Sequence, residues 1–198
     1  RQELLTTVEE ETDQLNLLVG NLLDMSRIEA GALQPKIEWN SITEIIKGVA
    51  GKMRVPLKRH PVEYDFQKPL PLVPTDFVMM GQVFTNLFSN SIKYTPENSP
   101  ILISASTNEA GVLIKMINQS PPVPDEHLEH IFDKFVRITQ ADKVTGTGLG
   151  LSICKGIVEA HGGKIWAENS AEGFAFNINL PITIDGALPK IPKDEVDG

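Results

Sequence analysis

Apolar residues recur at helical spacing through the first 31 residues of the chain. They return at intervals of three, four or seven positions, at Leu4, Val8, Leu15, Leu18, Leu22 and Met25. Gly31 supplies a stop signal. A helix of this length has to bury its apolar stripe against something. We interpret residues 1–31 as a helix that packs against partner helices, from this chain or another; a helix packed on its own domain is the alternative.

Between residues 32 and 182 the pattern predicts a mixture of strands and helices. Alternating or β-branched runs predict extended segments at 33–40, 62–66, 69–74, 101–107, 111–118, 163–170 and 173–181. Helical spacing predicts helices at 41–53 after a cap at Asn40 or Ser41, at 76–95 after a cap at Thr75, at 124–136 and at 150–162. Residues 137–147 lack periodicity, so we expect a mobile loop there. The acidic, proline-containing tail after residue 182 is expected to fray.

Several neighbouring strands are joined by short turns, such as NEAG between 101–107 and 111–118. Short turns of this kind join antiparallel strands, whereas parallel strands need long crossovers. We therefore predict an α/β fold: a two-layer α/β sandwich with a mixed, mostly antiparallel sheet, preceded by one long helix. The predicted domains are the helix at 1–31, the sandwich at 32–182 and a flexible tail at 183–198.

Composition narrows the classes of function. A net charge of −8 argues against nucleic acid as a partner, so local geometry has to attract any anionic ligand. The single cysteine, Cys154, excludes an intramolecular disulfide, fits a reducing cytoplasm and is predicted to be a buried, inert thiol. No apolar run is long enough to cross a bilayer. Since the chain opens inside a helical pattern without an initiator Met, we expect it to be part of a longer protein.

The segment QVFTNLFSNSIKYT, residues 82–95, has an unusual polar face. A turn of about 100° per residue sorts this helix into two faces. The apolar face holds Phe77, Met80, Phe84, Leu87 and Phe88, and the polar face holds Gln82, Asn86, Asn90 and Lys93. Asparagine is a poor interior helix former, because its side chain competes for backbone groups. The amide stripe therefore indicates a binding role, with a merely solvated face as the alternative.

A glycine-rich segment, TGTGLGLSI at 145–153, leads directly into a predicted helix. Without Cβ atoms at Gly146, Gly148 and Gly150, the chain can present successive N–H groups beside the positive end of a helix dipole. This arrangement suits a phosphate group. The segment lacks the GK[ST] of a P-loop, and no strand runs into it as in a dinucleotide fold. A flexible loop with a helix cap is the alternative.

The amide stripe and the glycine segment complement each other. Asparagine oxygens are neutral, hard ligands that suit Mg²⁺, and they do not repel a triphosphate as carboxylates would. Lys93, one turn beyond Asn90, can meet a phosphate as a point charge. The sequence thus predicts metal ligands and a cation on one helix, and backbone donors on the glycine segment.

These motifs resemble the sensor histidine kinase branch of the GHKL ATPases. NLFSNSIKYT (86–95) is similar to the N box of that family, IFDKFVR (131–137) to its F box and GTGLGLSI (146–153) to its G2 box. LLDMSRIEAG (22–31) resembles the end of the second dimerisation helix. The resemblance covers nearly all of residues 1–181. Together with IEWN and GGKIWAENS, these segments are most similar to the KdpD-type kinases.

The resemblance implies a Bergerat-type ATP-binding fold with ATP and Mg²⁺ as ligands and Asn90 as the magnesium ligand. The residues expected near the phosphates are Asn86, Asn90, Lys93 and Arg137. Tyr94 and Asn118 would line the nucleotide pocket. Phe132 and Phe135 would anchor a lid. The lid hinge and phosphate-binding turn would comprise Gly146, Thr147, Gly148, Leu149 and Gly150.

One motif departs from the family pattern. The family carries a D-x-G-x-G run whose Asp accepts a hydrogen bond from the adenine amine. The matching stretch, NQSPPVP, places Asn118, Ser120 and Pro122 at the positions of the Asp and the two Gly. A charge-assisted hydrogen bond contributes roughly twice a neutral one, so a loss on the order of 1 kcal/mol is expected. Ser120 and Pro122 also restrict the backbone. We therefore expect altered adenine affinity or selectivity.

The phosphoacceptor motif of the family is absent. Its histidine lies on the first dimerisation helix, and none of the four histidines here, His60, His127, His130 and His161, has that context. We expect no catalytic residue in this segment and an acceptor upstream of Arg1. Residues 1–31 would then be the second helix of the dimerisation hairpin, and 32–182 the ATP-binding catalytic domain.

The resemblance implies transfer of the ATP γ-phosphoryl group to that upstream histidine and onward to a response regulator. The implied full-length protein is a homodimer that places this domain in the cytoplasm and reaches the inner membrane only through a sensor region outside these residues. Two alternatives stay open. A degenerate GHKL module with weak or no ATP binding would serve dimerisation or partner docking. A gyrase-like or chaperone ATPase would need a Glu on this helix one turn before the Asn, and Gln82, Asn86 and Ser89 leave no such acid.

Overall fold

The computed structural model describes residues 2–136 and 147–183. Within these ranges the helices are α1 (Gln2–Glu29), α2 (Ile42–Lys52), α3 (Phe77–Tyr94) and α4 (Gly150–Ala160). The strands of the same ranges are β1 (Glu38–Asn40), β2 (Val62–Phe66), β3 (Val73–Thr75), β4 (Ile101–Asn108), β5 (Gly111–Asn118), β6 (Lys164–Ser170) and β7 (Gly173–Leu180). No helix in the described ranges is both long and apolar enough to cross a membrane.

Five strands form the main sheet, in the order β2-β4-β5-β7-β6. β2 runs parallel to β4, and every other neighbouring pair is antiparallel. β1 and β3 form a separate antiparallel pair. The predicted two-layer α/β sandwich, with a mixed, mostly antiparallel sheet and a long helix before it, is confirmed.

The core lies between one face of this sheet and the helices α2, α3 and α4. Alternate strand residues point into it because side chains of a strand alternate between its two faces. The fully or almost fully buried strand residues include Ile101, Ile103, Ala105, Val112, Ile114, Met116, Phe176, Ile178 and Leu180. The helices contribute Ile42, Ile45, Ile46, Met80, Val83, Phe84, Leu87, Phe88, Ile153, Cys154, Ile157 and Val158. Cys154 is buried, as predicted, and burial raises the pKa of its thiol to about 12.

α1 is attached to the sandwich through its last two turns. Met25 is buried there, and a Cβ atom on Gly156 of α4 would lie 2.7 Å from the Ile28 side chain, so the two helices touch closely. Gly31 ends the helix with a φ of +61°, as predicted. Further upstream the apolar stripe is exposed, at Leu15, Leu18, Val19, Leu22 and Leu23. Among the α1 side chains that the structure describes, the alternative interpretation, a helix packed on its own domain, therefore holds for the C-terminal end.

Three local predictions are wrong. The cap of α3 is Asp76 rather than Thr75. Phe77, expected on the buried face, is 52% exposed because it begins α3 beyond the edge of the core. The helix predicted at 124–136 is replaced by two short 3-10 turns, Asp125–His127 and His130–Phe132. Asp133 is already extended, so the chain turns away once Ile131 and Phe132 are buried.

Two predicted segments cannot be compared in this way. The mobile loop was expected at 137–147, of which only Thr147 belongs to the described residues. The frayed tail was expected from 183, and residues 184–198 also lie outside them.

Asp76 joins three parts of the fold at the start of α3. Its carboxylate accepts hydrogen bonds from the backbone N–H groups of Val78, Met79 and Lys36, at 2.8–3.0 Å. Its own N–H donates to His161 Nε2 at the end of α4, at 2.9 Å. Partial burial raises the pKa of the Asp76 carboxyl, but these three hydrogen bonds and the nearby imidazole outweigh burial, so the pKa lies below its ordinary value.

We expect Asp76→Ala to lower the free energy of unfolding by about 1–2 kcal/mol at pH 7, because the cap of α3 and the tie to Lys36 are lost. A carboxyl whose pKa is lowered by folding stabilises the protein above its unfolded pKa, near 3.9, and loses this effect as the pH falls through the folded pKa. Urea denaturation of both proteins at pH 7 and pH 3 should show the difference shrink in acid.

Asp65→Ala, on the exposed edge strand β2, is the matched control and should change stability by at most about 0.5 kcal/mol. Equal stability of the Asp76→Ala variant and the parent protein at pH 7 would contradict this account of the junction.

Candidate functional site

The orientation of α3 is fixed by its apolar face. Met80, Phe84, Leu87 and Phe88 are almost completely buried, as predicted. The opposite face therefore points away from the sheet, toward α1 and α4. On it Gln82, Asn86 and Asn90 are half-buried, and Lys93 is exposed.

Asn86 connects α3 to the glycine segment. Its Nδ2 donates to the carbonyl oxygen of Gly150 at 3.2 Å. A Cβ atom on Gly150 would lie 3.7 Å from Asn86 Cγ, so the two residues are in contact. Asn86 also lies beside Cys154 and partly offsets the effect of burial on the pKa of that thiol. The structure thus brings together the two motifs that the sequence suggested should complement each other.

The glycine segment is held from its other side by residue 135. Phe135 donates its N–H to the carbonyl oxygen of Gly148 at 3.0 Å. A Cβ atom on Gly148 would lie 2.9 Å from Phe135 Cα, and Gly148 has a φ of +70°, so both the space and the backbone angle require glycine. Phe135 itself has a φ of +62°, which is rare for an aromatic residue.

The two phenylalanines of the predicted lid anchor have different positions. Phe132 is buried, as an anchor should be. Phe135 is 65% exposed, and the lid that both residues were predicted to anchor lies mostly outside the described residues, so this role stays a prediction. Because its left-handed backbone directs the N–H toward Gly148, the contact is made by the main chain and the ring is left outside the core.

The N-terminus of α4 offers backbone donors. Leu149 occupies the N-cap position and has no side chain that can accept from the first N–H groups of the helix. The Thr147 hydroxyl accepts from the Leu149 N–H at 3.2 Å, which orients the turn that precedes the helix. First-turn N–H groups that the N-cap side chain does not satisfy, together with the helix dipole, favour an anion at this position.

The remaining candidates on α3 lie in line with Asn86. Asn90 is one turn further along the same face, and no side chain or backbone group of the described residues forms a hydrogen bond with its amide. Lys93 is exposed and Tyr94 half-buried at the C-terminal end of the helix. Arg137 and Gly146 lie outside the described residues.

Asn118 is the last residue of β5 and is only 2% exposed. Its Nδ2 donates to Ser91 Oγ of α3 at 2.9 Å. Its Oδ1 accepts from the Ser120 hydroxyl at 2.6 Å and from the Ser120 N–H at 3.3 Å. The amide is therefore already bonded to the protein on both sides, which the sequence did not reveal.

Ser91 was missed by sequence reasoning, although a signal was present. It lies seven residues after Phe84 and four after Leu87, so it is a hydroxyl within the apolar stripe of α3. It is completely buried and donates to the sulfur of Met116 at 3.6 Å while accepting from Asn118. A buried hydroxyl in such a stripe indicates a polar partner on the facing element.

Polar contacts that could not be foreseen from spacing join α1 to this site. Gln82 Nε2 donates to Asp24 Oδ2 of α1 at 2.7 Å. Lys134, next to Phe135, forms an ion pair with Glu29 at the end of α1. Both α3 and the segment that holds the glycine turn are therefore in direct contact with the last turns of α1.

Comparison with known proteins places this geometry in a family. Residues 75–184 match the sequence model of the histidine kinase-, DNA gyrase B- and HSP90-like ATPases. The chain is 36% identical to the sensor protein KdpD of Escherichia coli over 178 residues, 89% of this chain and 20% of that protein. It is 32% identical to the sensor histidine kinase WalK of Bacillus subtilis over 89% of this chain and 30% of WalK. The chain thus spans about a fifth to a third of the length of these relatives.

Solved structures agree with this assignment. Full-length ShkA in complex with AMPPNP superposes with a TM-score of 0.79 at 27% identity, over 94% of this chain and 40% of that one. The histidine kinase ThkA in complex with the response regulator protein TrrA superposes with a TM-score of 0.71 at 27% identity, over 89% of this chain and 49% of that one. With a family model matched over more than half of its residues, the chain belongs to the histidine kinase-, DNA gyrase B- and HSP90-like ATPase family.

Proposed function

We propose that this chain is the ATP-binding catalytic domain of a sensor histidine kinase, which transfers the γ-phosphoryl group of ATP to a histidine outside these residues. The hydrogen bond from Asn86 to Gly150 is the observation that carries the proposal, because it joins the amide face of α3 to the glycine segment. The sensor kinases KdpD and WalK among the relatives, and the AMPPNP bound to ShkA, support it.

The phosphate end of the proposed site has a clear division of roles. Asn90 is the proposed magnesium ligand, since its amide is not engaged by another described residue and a neutral oxygen suits Mg²⁺ beside phosphates. Mg²⁺, when bound, neutralises charge on the phosphates. Lys93 is proposed to contact a phosphate, and Asn86 to hold the glycine turn in place. The proposed remainder of the phosphate site is Arg137, Gly146, Thr147, Gly148, Leu149 and Gly150.

The base end of the proposed site is formed by Tyr94 and Asn118, at the C-terminal ends of α3 and β5. Phe132 supports the site from the core. In phosphoryl transfer the protein mainly positions groups and neutralises charge, so these residues bind and orient, and none of them is proposed to react.

The proposed partners are a response regulator, the first dimerisation helix of the longer protein and a second copy of that protein. The exposed apolar side chains of α1, at Leu15, Leu18, Val19, Leu22 and Leu23, support a helical partner, because such a stripe is costly to leave in water. TrrA, bound to the similar ThkA, supports a response regulator. We propose a cytoplasmic domain whose full-length protein is anchored through its sensor region.

A second candidate function is a non-catalytic module for dimerisation or docking. The observation that favours it is the Asn118 amide, which is bonded to Ser91 and Ser120 where a base would need it. Binding of nucleotide separates the two candidates.

We expect ATP to bind in the presence of Mg²⁺ and more weakly in EDTA, as measured by isothermal titration calorimetry. Asn90→Ala should weaken binding by about tenfold or more in Mg²⁺ and have little effect in EDTA, because it removes a metal ligand. Asn16→Ala, on the exposed side of α1, is the matched control and should bind like the parent protein. Absence of binding at millimolar ATP would favour the non-catalytic module.

Residues 1–198 incubated with γ-labelled ATP should remain unlabelled, because the proposed acceptor histidine lies upstream. A longer segment of the same protein that includes the preceding helix should become labelled, and Asn90→Ala in that longer segment should reduce the rate. Autoradiography after denaturing electrophoresis measures both. Acid-labile label on residues 1–198 alone would contradict the proposed position of the acceptor.

A further inference from the structure

We propose that the base end of this site does not select adenine, and that it accepts a 6-oxopurine such as hypoxanthine or guanine as readily. The residues responsible are Asn118, Ser91 and Ser120. This inference rests on the proposed function, since it concerns the base of the nucleotide that the site is proposed to bind.

The hydrogen bonds of Asn118 leave little capacity for accepting. Its carbonyl oxygen can accept two hydrogen bonds, and the hydroxyl and the N–H of Ser120 donate both. Its amide nitrogen has two hydrogens, of which one goes to Ser91 Oγ. The spare capacity of this buried side chain is therefore one N–H donor.

A hydrogen-bond donor at this position suits a 6-oxopurine, whereas a carboxylate at the same position would select adenine. Position 6 of adenine carries an amine, which needs an acceptor, whereas position 6 of hypoxanthine and guanine carries a carbonyl, which needs a donor. A carboxylate only accepts and therefore rejects a 6-oxopurine. Asn118 can donate to the carbonyl directly, but it can accept from the adenine amine only after the Ser120 hydroxyl has moved away.

The neighbouring side chains do not restore a preference for adenine. Thr95 ends α3 one turn after Ser91, to which it is joined by a 3.0 Å backbone hydrogen bond. The Thr95 hydroxyl is buried and has no hydrogen-bond partner among the described residues, which indicates a partner that those residues do not supply. A hydroxyl both donates and accepts, so it serves either base.

The Ser120 hydroxyl, which donates to Asn118, can still accept from an amine through its oxygen, but as a neutral group it does not reject a 6-oxopurine as a carboxylate would. Ser120 is followed by Pro121 and Pro122, which lack N–H groups and have restricted φ angles. Because this backbone is stiff, Ser120 stays next to the Asn118 amide. Its hydroxyl therefore competes with a bound base for the Asn118 carbonyl oxygen.

The test is a comparison of dissociation constants for ATP, ITP and GTP in the presence of Mg²⁺, by calorimetry on the full chain. ITP isolates position 6, because its base lacks the additional amine of guanine. We expect the dissociation constant for ITP to be less than tenfold higher than the dissociation constant for ATP. A preference for ATP of tenfold or more over ITP would overturn the inference.

Two variants change the hydrogen-bonding groups of this cluster, one at Asn118 and the other at Ser120. Asn118→Asp creates an acceptor-only group whose oxygens the Ser91 and Ser120 hydroxyls can still satisfy, and should shift the ITP-to-ATP ratio toward ATP by about fivefold to tenfold. Ser120→Gly frees the Asn118 oxygen and should also shift the ratio toward ATP. Asn16→Asp on α1 adds the same charge outside the site and should leave the ratio unchanged.

The outcomes separate the two proposals. Failure of every nucleotide to bind at millimolar concentration overturns the proposed function and this inference together. Tight binding of ATP with rejection of ITP overturns this inference alone. An unchanged ITP-to-ATP ratio in Ser120→Gly overturns the role of the serine. If circular dichroism shows that Asn118→Asp does not fold, the Ser120→Gly variant serves as the test.

Discussion

Burial of one face of α3 is the constraint on which the rest of this structure depends. Phe84 and Phe88 are completely buried against the sheet, and removal of such a side chain typically costs 3–5 kcal/mol. Because this face cannot turn outward, the opposite face has a fixed direction, and Asn86 contacts Gly150 at the start of α4. The hydrophobic core thus sets the geometry of the polar site, and Ser91 is the polar residue of α3 that is completely buried within it.

The two ends of the site are held by different kinds of contact. At the proposed phosphate end, Asn86 and Phe135 donate hydrogen bonds to main-chain carbonyl oxygens of the glycine segment. These contacts hold the segment without using side chains of its own. At the base end, side chains bond to one another, in the cluster around Asn118. The cluster around Asn118 therefore shares none of these hydrogen bonds with the glycine segment.

α1 is connected to both halves of this arrangement. Gln82 lies one turn before Asn86 and is bonded to Asp24, and Lys134 lies next to Phe135 and pairs with Glu29. A rotation of α1 relative to the sandwich has to break these two contacts. The last turns of α1 are thus in contact with α3 and with the segment that holds the glycine turn.

The sequence by itself determined the sheet class, most helix and strand positions, the two faces of α3 and the complementary pair of motifs, because these follow from periodicity and from backbone requirements of single residues. Only the tertiary structure decided that 124–136 forms two short turns, that Phe135 acts through its backbone and that Asn118 is bonded on both sides. Each of those outcomes depends on a partner far away in sequence, such as Gly148 or Ser91, or on where the core ends. The spacing of Ser91 within the apolar stripe indicates that it has a polar partner, but spacing does not identify that partner or show where the core ends.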